Sequence, residues 1–135
     1  MAGLCGWFNT DRRRPPEDID ARADTVPAAN GTPARSLGNP VGACLVRGGW
    51  IAEDGAGRIA ALAGHPRWRD GELDALARDR SPAHALLHAY QRFDEGLFGQ
   101  VAGDFALAVL DPVESRMLAG IDRIGQFPLY FAPIP

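Results

Sequence analysis

A chain of 135 residues, 46% hydrophobic and 23% charged, has the size and composition of a single globular domain with a real core. Its net charge of −3 gives no electrostatic reason to expect nucleic acid or an anionic membrane, and the expected partner is a protein or a small molecule. All fourteen Lys and Arg positions are arginine, which excludes a Schiff-base or phosphate-loop lysine.

Leu4 to Phe8 is a short apolar run ended by Asn9, Thr10 and Asp11, so a strand is expected almost at the first residue. Arg12 to Asn39 is rich in Arg, Pro, Asp and Ala, with RRRPP, VPAANGTPA and LGNP as breakers. Most of it is expected to be irregular loop, with a helical turn near Pro16 to Ala23. Val41 to Val46, Trp50 to Ala52 and Arg58 to Ala63 read as strands around an EDGAG turn, which suggests an antiparallel meander.

GHPRWRD then leads to a helix over Gly71 to Ala77, with Leu73 and Leu76 on one face; RDRSP breaks it, and Ala83 to Phe93 forms a stronger helix. Ser81 followed by Pro82 is an N-cap and first-turn pair for that second helix. Asp104 to Leu110 and Arg116 to Ile121 read as a hairpin around DPVES, and Leu129 to Ile134 as a last strand.

Cys5 and Cys44 form neither a disulfide framework nor a zinc spacing and read as small, buried, inert hydrophobes. His84 and His88 lie at i, i+4, but without the glutamate of an H-E-x-x-H motif; like His65 they are expected to be surface or core-edge imidazoles, and no metal is expected. Arg12 to Arg14 reads as a solvated loop, and Trp7, Trp50 and Trp68 as core or interface packing. The N-terminus lacks a basic region followed by an apolar one, and no apolar run is long enough to span a bilayer, so the cytoplasm is the expected compartment.

GDFALAVLD (Gly103 to Asp111) followed by IDRIGQFPLYF (Ile121 to Phe131) resembles the pattern G-x-F-A-F-A-x-x-D … R-D-R-x-G-x-x-P-L-Y-Y. That pattern belongs to the class II glutamine amidotransferase domain of the asparagine synthetase family, with Asp122, Arg123, Gly125, Pro128, Leu129 and Tyr130 in register. SPAHALLHAY resembles the family's S-D-T-E-x-L-L-H-A-Y helix, and MAGLCGWF its M-C-G-I-x-G-x-F start. The resemblance implies an α+β fold, the αββα sandwich of N-terminal nucleophile hydrolases, truncated at the C-terminus, with residues 1–135 as one amidotransferase-like domain. Asp122 and Arg123 are then expected to form a structural ion pair that sets the last strand.

The family's chemistry needs a thiol on the first mature residue, activated by its own α-amine. It also needs an Asn-Gly pair donating to the oxyanion, an aspartate for the substrate's ammonium and an arginine for its carboxylate. Here the ungapped alignment places Ala2 at the nucleophile, Ala63 and Gly64 at the oxyanion pair and Pro82 at the aspartate, while Arg35 and Arg47 lie in no recognisable H-R-R-L segment and neither is carried over as the arginine. Cys5 falls at an interior position of the first strand rather than at the nucleophile.

The resemblance therefore implies a domain that has lost glutamine hydrolysis and is retained as the structural part of an ATP-dependent amide-forming enzyme. Lasso-peptide macrolactam cyclases and β-lactam synthetases are relatives of that kind. ATP and Mg²⁺ would bind a separate ATP-pyrophosphatase synthetase domain, in cis or in trans, whose S-G-G-x-D-S loop does not occur in this sequence; the other partner would be a peptide substrate. The alternatives are a stand-alone scaffold or binding module docking on a synthetase, and an active glutaminase carrying an engineered Cys-to-Ala change.

Overall fold

The computed structural model of the chain describes residues 3–8 and 33–122. Expectations for Ala2, for the segment from Arg12 up to residue 32, for Arg123, Gly125, Pro128, Leu129 and Tyr130, and for the last strand lie outside the described residues. In chain order the elements are β1 (Gly3–Phe8), β2 (Ala34–Asn39), β3 (Gly42–Arg47), β4 (Trp50–Glu53), β5 (Ile59–Trp68), α1 (Gly71–Asp79), α2 (Pro82–Phe93), a 3₁₀ turn (Asp94–Gly99), β6 (Val101–Asp111) and β7 (Arg116–Ile121).

The strands form two antiparallel sheets, ordered β1-β3-β2 and β4-β5-β6-β7. Successive residues of a strand point to opposite faces, so β5 and β6 serve two cores at once. Ala60, Leu62, Phe105, Leu107 and Val109 pack under the helices with Leu73, Leu86 and Leu97. Their neighbours Ile59, Ala61, Ala108 and Leu110 pack against Val41, Cys44 and Val46, with Leu4, Phe8 and Leu37 at the margin. The layers are therefore helices, four-stranded sheet, three-stranded sheet. Burial on both faces explains why β5 begins as an unbroken apolar run instead of an alternating one. A fully buried leucine such as Leu62 or Leu107 contributes about 1.5–3 kcal/mol.

The expected meander is corrected: β3 belongs to the three-stranded sheet and β4 to the four-stranded one. The chain changes sheets at Gly48–Gly49, where a Cβ on residue 49 would overlap the Leu62 carbonyl oxygen. A loop reading through Asn39 is corrected too, because residues 34–39 form β2. Leu37 is its one large apolar residue; the strand is held by backbone pairing to β3, which side-chain periodicity cannot signal.

Asn39 also locks the two sheets together. Its Nδ2 donates to the carbonyls of Gly57 at 2.9 Å and Leu110 at 3.2 Å, while its Oδ1 accepts from the N–H groups of Val41 at 3.0 Å and Gly42 at 3.1 Å.

Both helices start at side-chain caps. Asp70 accepts from the N–H of Glu72 at 2.9 Å and of Leu73 at 3.2 Å; Ser81 accepts from the N–H of His84 at 3.2 Å, with Pro82 in the first turn as expected. Trp68 is buried and Trp50 half-buried against the helix-side core, and Trp7 packs on Ala43 and Leu45 on the outer face of the small sheet. Cys44 is buried as expected, whereas Cys5 is only half-buried, because β1 is an edge strand. No helix among the described residues is long and apolar enough to cross a membrane.

Candidate functional site

The first described residue, Gly3, pairs with Arg47 at the end of β3. From Arg47 the chain passes through Gly48 and Gly49 to Trp50, which pairs with Leu62, and a Cβ on Gly49 would touch the Cα of Ala63. The start of β1 therefore lies at the same end of the sandwich as Ala63 and Gly64. Arg47 stands opposite Gly3, whereas Arg35 in β2 pairs with Val46 of β3.

At that end Ala63 is fully buried and carries only a methyl group, which cannot donate a hydrogen bond. Gly64 has φ 104°, and a Cβ there would overlap the carbonyl oxygen of Asp104 and crowd the Cα of Phe105. Backbone geometry alone thus requires glycine at 64. Opposite Gly64 stands Phe105, tied to the end of β7: the Asp122 N–H donates to the Phe105 carbonyl at 3.0 Å, and the Phe105 N–H points at Asp122 Oδ1 at 3.5 Å. Asp122 is buried beside Phe105 at the end of β7; its expected pairing with Arg123 lies outside the described residues.

Pro82 stands in the first turn of α2, in the helix layer, where it offers neither a carboxylate nor an N–H. Beside it Ser81 Oγ lies 2.7 Å from His84 Nδ1. The hydroxyl also accepts from the His84 backbone N–H, and the imidazole tautomer sets which group donates in the Oγ–Nδ1 contact. Burial, and then the Arg80 guanidinium, hold the His84 pKa below the usual histidine range. His88 instead faces Glu72, with Nε2 3.5 Å from its carboxylate. The two helix histidines thus have separate partners, and the described residues contain no group of three or more His, Cys, Asp or Glu side chains placed to hold a metal.

Sequence reasoning missed the pair that His65 makes across the strands. Its Nδ1 lies 3.0 Å from Asp104 Oδ2, next to Gly64, and the imidazole is 87% exposed. The hydrogen bond to His65 is the main cause that holds the Asp104 carboxyl below its usual range. The pair was accessible in principle, since once β5 and β6 are placed in register residue 65 must face residue 104.

A larger polar cluster lies at the other end of β5 and β6. Tyr90, Asp111, Arg58, Gln91, Asp94, Glu114 and Arg116 line a hollow there. Buried Asp111 accepts from the Tyr90 hydroxyl at 2.7 Å and from the N–H groups of Val113 at 2.9 Å and Glu114 at 3.2 Å, while Arg58 Nε lies 3.5 Å from its Oδ1, beyond a hydrogen bond. Arg116 pairs with Asp94 and stacks on the Tyr90 ring, 5.5 Å from its centroid.

A family model described as a glutamine amidotransferase domain matches residues 70–134. The matched span holds both helices, the 3₁₀ turn and the β6–β7 hairpin, and includes Pro82 and Asp122; Ala63, Gly64 and Arg47 precede it. No curated protein and no solved structure matches the chain.

Proposed function

We propose that the chain is a glutamine amidotransferase domain of the asparagine synthetase type that no longer hydrolyses glutamine. It serves as the structural domain of an ATP-dependent amide-forming enzyme such as a lasso-peptide cyclase or a β-lactam synthetase. The observation that carries this reading is the buried methyl of Ala63 in the middle of β5, where the resemblance calls for the oxyanion donor, beside a glycine that the backbone itself requires.

The chemistry fails at three separate points. Ala2 has no lone pair with which to attack the carboxamide, so no acyl-enzyme forms and the α-amine has no thiol proton to take up. Ala63 leaves the developing oxyanion without a side-chain donor, a loss that by itself costs about 10²–10³-fold in rate. Pro82 brings no charge to pair with a substrate ammonium. A single Ala2 could be an engineered change; three separate departures favour a site no longer used.

An amide-forming enzyme that takes its amine from the substrate peptide itself has no need of ammonia, and a domain in that role keeps only its packing. In this reading the fold is the αββα sandwich of N-terminal nucleophile hydrolases. ATP and Mg²⁺ bind the ATP-pyrophosphatase partner, in cis or in trans, and that partner adenylates the carboxylate.

Ammonia release from glutamine tests the proposal. Neither the natural chain nor Ala2→Cys, with its methionine removed, is expected to release ammonia above the no-protein control. Release by the natural chain would overturn the proposal, and release by Ala2→Cys alone would mean that the site is intact except for its thiol.

A further inference from the structure

We draw no further inference here: the strongest candidate, the exposed apolar strip of Val113, Met117 and Ile121 along the β6–β7 hairpin, is a sheet face for which nothing in the structure shows what covers it.

Discussion

Truncating Asp111 should unfasten three elements at once. The residue is 1% exposed, and its carboxylate accepts from the Tyr90 hydroxyl and from two backbone N–H groups of the β6–β7 turn, with Arg58 Nε 3.5 Å away. A hydrogen bond to a charged group contributes about 1.5–3 kcal/mol, and removing one partner of a buried ion pair costs about 3–5 kcal/mol. These contributions share one carboxylate and do not add. Asp111→Ala is therefore expected to cost about 3–5 kcal/mol, a large part of the roughly 5–15 kcal/mol that holds a domain folded. Asp111→Asn keeps the shape and one acceptor oxygen and should cost about 1.5–3 kcal/mol.

Urea unfolding followed by tryptophan fluorescence measures both losses, since Trp68 is buried and Trp50 half-buried in the adjoining core. Burial pushes the Asp111 carboxyl up, but the Tyr90 hydroxyl, the turn N–H groups and Arg58 outweigh it and hold the pKa below the usual range. The stabilisation is thus present above about pH 3.9, the ordinary aspartate value, and is lost as pH falls through the folded-state pKa. Asp111→Asn should flatten that part of the acid limb. A loss under about 1 kcal/mol for Asp111→Ala, or strict additivity of Tyr90→Phe with Asp111→Asn, would refute the reasoning.

Gly64→Ala places a side chain at φ 104° against the Asp104 carbonyl and should lower stability by about 1–3 kcal/mol in the same urea assay; an unchanged midpoint would return Gly64 to the list of residues kept for chemistry. His84 has a folded-state pKa below its unfolded value, so its contribution to stability is complete above about pH 6.5 and is lost as pH falls below that. Comparing thermal midpoints of the natural chain and His84→Gln between pH 5 and 8 should show a steeper decline for the natural chain, and parallel curves would contradict the assignment. Burial, followed by the neighbouring Cys5, pushes the Cys44 thiol up to about 12, so iodoacetamide at pH 8 should leave Cys44 unmodified in the folded protein. Mass spectrometry of the digested protein checks this, and modification of Cys44 at the rate of an accessible thiol would refute it.

Most of the elements could be read from the sequence because their signals are local. Ser81–Pro82 marks the start of α2 through one hydroxyl and one missing N–H, and the DPVES turn is fixed by the Asp111 side chain bonding residues 113 and 114. The readings that failed depended on partners distant in the chain. β2 exists because β3 lies beside it, and β5 runs on through Pro66 to Trp68 because β6 pairs with it there. Nothing in GHPRW announces that pairing, and Pro66 argues against it. The division of β3 and β4 between two sheets turns on Gly48–Gly49, a dipeptide equally suited to a tight hairpin. At the candidate site the sequence could name Ala63 and Gly64 through the resemblance, but the backbone requirement for glycine at 64 is visible only in the structure.

In the proposed reading, this backbone requirement bears on why an amidotransferase outline can persist without its chemistry. Packing distributes its free energy: the core under the helices draws on α1, α2, β4, β5 and β6, so no single substitution there removes the fold's recognisable pattern. In the proposed reading catalysis concentrates its requirement in single atoms, a sulfur at residue 2 and an amide at residue 63, and the alanine at 63 is compatible with the strand around it. Ala63 fits that reading, since its methyl is fully buried between well-packed strands and is suited to packing as an asparagine amide would not be. An asparagine restored at 63 would need a hydrogen-bond partner in a position that now offers an apolar fit. In the proposed reading, recovery of glutamine hydrolysis therefore demands repacking around β5 as well as a thiol, and Ala2→Cys with Ala63→Asn should be less stable than Ala2→Cys alone.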